Sequence, residues 1–259
     1  MLEKPFILAV VKSTRIAVLG ALLGILSNST RADLIAFTSF EEPDLFAAPY
    51  TDTGGAGTDH ALVNNSGEPI VNFSPDPSDM ELGFTSFYTN TRNGVGLTDG
   101  DEVGVTDDKA NHGTQAFQIS DPDGLMTITL ETVSLTGYLT ASVSIDILVA
   151  DTSWEPAQGD RIRVWITVDG GTEIDLLNTS GQDIDDLGIE GAWNTYTANL
   201  TGYTFATLAF ELDSNAATET VYFDNIQFVP LPGSMILAGL GLSCAALLTR
   251  ARKFSSTKN

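Results

Sequence analysis

Carboxylates are the commonest chemistry-bearing residues in this chain of 259 residues, which holds 34 Asp+Glu against 12 Lys+Arg. The stretch "NGVGLTDGDEVGVTDDKANHG" sets Asp99, Asp101, Asp107 and Asp108 in a polar, glycine-rich loop. Clustered hard oxygens of this kind suit a divalent cation, and Asp99 and Asp101 are the candidates. An EF-hand does not fit, because position 12 counted from Asp99 is Ala110 and not the bidentate Glu. The second chemistry is aromatic. Trp154, Trp165 and Trp193 are the only tryptophans, and a flat exposed ring packs against the C–H face of a pyranose. Trp165 falls on the same side of its segment as Arg161, Arg163 and Thr167, opposite an Ile/Val row. Arg163, Trp165 and Trp154 (after a strand, in "DTSWEP") are therefore the ligand-binding candidates.

Catalytic constellations are missing from the sequence. The two histidines, His60 and His112, lack metal-ligand spacing. There is no G-x-S-x-G elbow, and the single cysteine, Cys244, lies in an apolar run near the C-terminus. A glycosidase would need two carboxylates about 5–9.5 Å apart in a cleft, and no local pattern supplies them. The expectation is a non-catalytic protein, with a glycoside hydrolase-like enzyme as the alternative from another class.

The elements that would position these residues lie between two apolar ends. Lys4, Lys12 and Arg15 precede the apolar stretch 16–26, and "NSTRAD" follows. Thr30 and Ala32 sit at −3 and −1 of a cut before Asp33, so 1–32 reads as an export signal. At the other end, residues 231–249 are 19 uncharged residues, about 28 Å of helix and enough to span a bilayer. Arg250, Arg252 and Lys253 follow and would stay cytoplasmic. Between these ends lie 33 of the 34 acids and only Arg92, Lys109, Arg161 and Arg163, a net charge of about −29. Such a surface repels nucleic acid and anionic lipid.

Residues 33–229 read as a single all-β domain. Val143, Ile145, Ile147 and Val149 alternate with Ser142, Ser144 and Asp146. Ile162, Val164, Ile166 and Val168 alternate with Arg161, Arg163 and Thr167, and Leu208, Phe210 and Leu212 with Ala209 and Glu211. Period 2 with one apolar face means half-buried antiparallel strands. "DPDG" at 121–124, "DGG" at 169–171 and "TDGD" at 98–101 supply turns. About ten strands in two sheets predict a jelly-roll β-sandwich, with one short helical turn near 183–189.

Two resemblances add to this reading. Val229-Pro230-Leu231-Pro232-Gly233, the apolar run and the basic tail resemble a PEP-CTERM sorting signal of Gram-negative bacteria, in its VPLPA-type variant. Gly233-Ser234 departs from the variant's usual Ala, and the basic cluster is split by Ala251. The resemblance covers about the last 30 residues. It implies export, anchoring in the inner membrane through residues 230–259, and recognition by an exosortase that sends the protein to the cell surface or a biofilm matrix. "LIAFTSFEEP" (34–43), "NHGTQAFQIS" (111–120) and "ETVYFDNIQF" (219–228) resemble jelly-roll carbohydrate-binding and galactose-binding-like modules. That resemblance implies extracellular polysaccharide as partner and a structural calcium where the first and last strands meet, with Glu41, Glu42 and Asp224 as matching ligands. A structural envelope or matrix protein with no small ligand is the alternative.

Overall fold

The computed structural model describes residues 34–42, 49–55, 57–76, 78–92, 96–97, 101–154 and 159–231. The signal segment 1–32, Asp99, Pro232, Gly233, Arg250, Arg252 and Lys253 lie outside the described residues. Among the described residues no helix is long and apolar enough to cross a membrane.

Among the described residues, thirteen strands build two antiparallel sheets: β1 (Ala36–Thr38), β2 (His60–Ala61), β3 (Phe84–Thr89), β4 (Glu102–Thr106), β5 (Ala116–Ser120), β6 (Gly124–Leu130), β7 (Val133–Ser134), β8 (Ala141–Val149), β9 (Arg161–Val168), β10 (Thr172–Asn178), β11 (Trp193–Asn199), β12 (Phe205–Ser214) and β13 (Thr220–Pro230). One sheet runs β11-β8-β13-β5-β4, with β1 also on β13. The other runs β10-β9-β12-β6-β3-β2, with β7 also on β12. The anticipated alternations produce β8, β9 and β12, and the short turn is the 3-10 helix Asp185–Leu187. The excess over ten strands comes from short pieces, β2 and β7 having two residues each.

The core lies between the sheets and is aromatic at its centre. Phe210 of β12 stacks on Phe223 of β13 with centroids 4.0 Å apart, joining the two sheets directly. Phe117 packs edge-on to Phe84 and Phe210 at 5.4 and 5.8 Å. Phe40 caps the group at 5.4 Å from Phe84, and all five rings are buried. Offset and edge-to-face contacts are the favoured geometries for such rings. Phe40 sits at φ 55°, sparsely populated for a bulky residue, and its N–H bonds Thr38 Oγ1 at 3.1 Å. Burial of the ring holds this conformation in place.

β13 is the central strand of its sheet and organises the site. On one side it pairs with β8; on the other it pairs first with β5, through Thr220–Phe223, and then with β1, through Ile226–Phe228. The chain after β1 and the chain before β5 therefore meet in one lane. They meet opposite a bulge between Asp224 and Gln227, where Asn225 takes φ 49°. Asn tolerates this left-handed conformation better than most residues.

Phe210→Ala and Phe223→Ala should each cost about 3–5 kcal/mol. Urea unfolding of the two single variants and the double variant should show a coupling of about 0.5–1.5 kcal/mol from the stack. Strict additivity would mean that the rings do not join the sheets.

Candidate functional site: a strand junction, a carboxylate cluster and two outer faces

At the junction, each carboxylate has a different environment. Exposed Glu41 reaches across to the chain before β5, accepting from Thr114 N at 2.6 Å, Gln115 N at 2.9 Å and Thr114 Oγ1 at 2.9 Å. Burial pushes this carboxyl up, but the Thr114 and Gln115 donors outweigh it and hold Glu41 below its ordinary value. Gly113 at φ 73° is required here, since a Cβ would overlap the Glu41 carboxylate. Asp224, fully buried, accepts from Asn111 N and His112 N at 2.7 Å and from Asn225 N at 2.5 Å. Burial still raises it, only partly offset by those N–H groups. Beside it on β8, Asp146 accepts from Asn111 Nδ2 and Asn225 Nδ2 at 2.7 Å and from Thr195 Oγ1 at 2.5 Å.

Glu42 differs. Its backbone is clasped by the Gln115 amide, Glu42 N donating to Oε1 at 2.7 Å and Nε2 donating to Glu42 O at 3.0 Å. Its carboxylate is buried, with 2% of the residue exposed, and neither oxygen has a hydrogen-bond partner. Burial, and then the charge of Glu81, push it up to about 8. The expected Glu41–Glu42–Asp224 ligand set is thus corrected in one respect. All three border one junction, but they do not converge, because Glu41 and Asp224 are taken up by backbone N–H groups. Only Glu42 keeps its oxygens free.

The carboxylates that do converge are Asp101, Asp121 and Asp123, each offering one oxygen within 4.8 Å of the others. Asp101 precedes β4, and Asp121 and Asp123 flank Pro122 in the turn from β5 to β6. Both turn residues adopt left-handed backbone, φ 48° and 49°. Burial raises both, and Arg92 partly offsets it. Arg92 is itself committed, with Nη2 donating to Asp213 Oδ1 at 3.1 Å and to Gly159 O at 3.3 Å and standing 3.6 Å from Asp160. Tyr88 OH bonds Asp123 O at 3.0 Å, and burial followed by the surrounding Asp charges pushes that phenol up to about 12. Asp101 was among the cation candidates read from the sequence. Asp121 and Asp123 were read as turn residues, although two Asp one residue apart in "DPDG" carried the signal.

Trp165 and Arg163 lie on the outer face of the sheet that contains β9. Register sets Phe87, Thr127, Glu211, Arg163 and Asn178 in one row, and Thr85, Thr129, Ala209, Trp165 and Asp175 in the next. The Arg163 guanidinium lies over the Trp165 ring, 4.6 Å from its centroid, and is held by Glu173 at 2.6 Å and Asp175 at 2.8 Å. Trp154 requires a correction. It is buried, with Nε1 donating to Ala150 O at 3.1 Å, so it closes the core and offers no ring face. The other sheet carries an outer row that sequence reasoning missed: Trp193, Leu148, Tyr222 and Gln118 are successive neighbours across β11, β8, β13 and β5. Burial, then the charges of Asp108 and Glu102, push Tyr222 up to about 12.

No protein-family model and no curated protein matches the chain. Among solved structures it is similar to the CBM22-1 xylan-binding domain of Paenibacillus barcinonensis Xyn10C, at 16% identity and a TM-score of 0.33 over 77% of this chain and 96% of that one. A xylan-binding domain from CBM 22 gives 9% identity and a TM-score of 0.31 over 69% and 97%. The K3 cleaved adhesin domain of Lys-gingipain from Porphyromonas gingivalis gives 12% and 0.35 over 56% and 89%. At these scores the likenesses carry no argument about what this chain binds.

The Glu42 environment fixes a pH dependence. A carboxyl raised in the folded state contributes stability that is complete below its unfolded value, near 4.5, and that is lost as pH rises through the folded value of about 8. In chelator, stability should fall as pH rises from near 4.5 through about 8, and Glu42→Gln should make the fall shallower. A variant that tracks the parent chain across that range would show that Glu42 is already compensated.

Proposed function

We propose that this chain is an exported, non-catalytic surface or matrix protein whose jelly-roll sandwich binds extracellular polysaccharide and holds a structural calcium. The observation that carries the binding reading is the outer face around Trp165. There a half-buried aromatic ring, two arginines and ordered carboxylates and threonines lie in register across five strands. Pyranoses are bound by such combinations of a flat apolar ring and planar polar groups. Calcium is supported at two places. Glu42 has two buried oxygens without partners, and Asp101, Asp121 and Asp123 bring three hard ligands together. Calcium bound at Glu42 would hold the chain after β1 against its neighbours. At the Asp cluster it would hold the turn from β5 to β6 against the segment before β4.

The remainder of the proposal rests on the two ends of the sequence. Export machinery would carry the chain across the inner membrane, residues 231–249 would hold it there, and an exosortase would recognise the segment beginning Val229-Pro230-Leu231-Pro232-Gly233. The protein would then pass to the cell surface or matrix. One observation favours the second reading, a structural matrix protein without a small ligand: Arg163 already occupies a face of Trp165. In that case the acidic surface and bridging calcium would be the working parts.

Two measurements test this. Retention of the purified protein on the producing organism's exopolysaccharide should weaken about tenfold in Trp165→Ala, equivalent to about 1.4 kcal/mol. Loss in Trp193→Ala with Trp165→Ala unaffected would move the site to the other sheet, and retention by none of the proteins would leave the structural reading. Calcium titration calorimetry should lose one binding event in Asp121→Asn/Asp123→Asn and a different one in Glu42→Gln. A parent chain that takes up no calcium would remove the metal from the proposal.

A further inference from the structure

The two ends of the sandwich differ sharply in character. β1 runs antiparallel to β13, with Ala36 opposite Phe228 and Ile35 N bonded to Phe228 O at 2.8 Å. β13 finishes with Pro230 opposite Ala141, the first residue of β8. The described chain therefore begins and finishes at one end, beside the loop leading into β8. The loop leading into β12 lies there too: Leu135 N bonds Thr204 O and Leu200 N bonds Ala141 O, both at 2.8 Å. From these loops project Leu139, 82% exposed, Phe205, 51%, and Tyr138, 40%.

The loops into β8 and β12 carry no charge. In a folded segment of about −29, residues 132–145 and 191–210 contain no charged side chain, and none occurs from 225 to 249. The acids near it are Asp169, Glu131 and, on the segment parallel to β1 where Phe37 bridges Glu81, Asp76, Asp79 and Glu81. Asp169 is occupied by Thr204 N, Thr204 Oγ1 and Phe205 N, each at 2.7 Å, and Glu131 bonds Gly83 N at 3.3 Å. The opposite end holds Asp101, Asp121, Asp123, Asp160 and Asp213.

We propose that Tyr138, Leu139 and Phe205 form a lipid-contacting tip that seats this end of the sandwich on the surface of a bilayer. The inference rests on the reading of residues 231–249 as a membrane span, which begins directly after Pro230 with no spacer. A folded domain joined to a span without a linker must bring its exit end to the headgroups. Large apolar and aromatic side chains are favoured at that depth, and carboxylates are not. The uncharged loops let this end approach the lipid, and the carboxylate cluster is held at the far end of the strands.

The test uses the full chain in phosphatidylcholine vesicles, with Cys244→Ser removing the native thiol. An environment-sensitive nitrobenzoxadiazole label is placed at Leu139→Cys, at Phe205→Cys and, at the opposite end, at Asn215→Cys. Labels at 139 and 205 should emit to the blue and lose intensity with bromine-labelled lipid, whereas the label at 215 should do neither. Water-like emission at 139 and 205 in protein that floats with the vesicles would overturn the tip while leaving the membrane span intact. A blue shift without bromine quenching would mean that a second copy covers the patch, and would also overturn it. Protein that does not float with the vesicles would remove the span, and the tip with it.

Discussion

A shortage of cations governs this fold. The folded segment has 33 carboxylates and four basic side chains, so ion pairing can serve only a few acids. Three arginines are already paired: Arg92 with Asp160 and Asp213, Arg161 with Glu211, and Arg163 with Glu173 and Asp175. Acids drawn into the structure beyond these must take their partners from backbone N–H groups, hydroxyls and amides. Glu41, Asp146, Asp169 and Asp224 do so, each collecting three donors. Charge-assisted bonds of this type are stronger than neutral ones, and they recruit loops as their donors. The carboxylates therefore act as tethers. Glu41 and Asp224 hold the chain before β5 in place, and Asp169 holds the loop before β12.

The same shortage explains where the candidate sites are. Wherever a carboxylate is buried and no donor remains, the charge is unfavourable until something positive arrives. Glu42 is the clearest instance, with two unpartnered oxygens between the Gln115 clasp and the charge of Glu81. At Asp101, Asp121 and Asp123 three carboxylates converge, and the nearby cation, Arg92, already bonds Asp213 and Gly159. A divalent ion would bring positive charge to either place.

Periodicity made the strands readable, and long-range convergence was what the sequence concealed. β8, β9 and β12 follow from strict alternation because each buries one face. The same alternation set Trp165 outward beside Arg163, and the structure has both there, half-buried and stacked. Trp154 lies beyond a strand end, where period 2 gives no direction, and it turned inward. The motifs 34–43 and 219–228 pointed to first and last strands that meet, and β1 pairs with β13, which also carries β5. They could not say which N–H groups would reach Glu41 and Asp224, because those donors come from residues 111–115, about 70 and 110 positions away in the chain. Asp121 and Asp123 were hidden for a related reason. A turn explains "DPDG" locally, and only the packing of Asp101 against that turn makes it a cluster.

Placing acids by the availability of donors also gives the sandwich a direction. Strand interiors present the outer faces, where paired charges flank aromatic rings and a polymer could lie across several strands. The far loops hold the Asp101–Asp121–Asp123 cluster and the pairing of Arg92 with Asp160 and Asp213. The loops 135–140 and 200–204 beside Pro230 carry no acid, and apolar side chains are exposed there instead. The uncharged run 191–210 includes the loop between β11 and β12, which lies at that end. The tip proposed for Tyr138, Leu139 and Phe205 would place on that loop a requirement beyond the stability of the sandwich. Contact with a low-dielectric surface is such a requirement, because it penalises every carboxylate brought near it and favours the side chains found there.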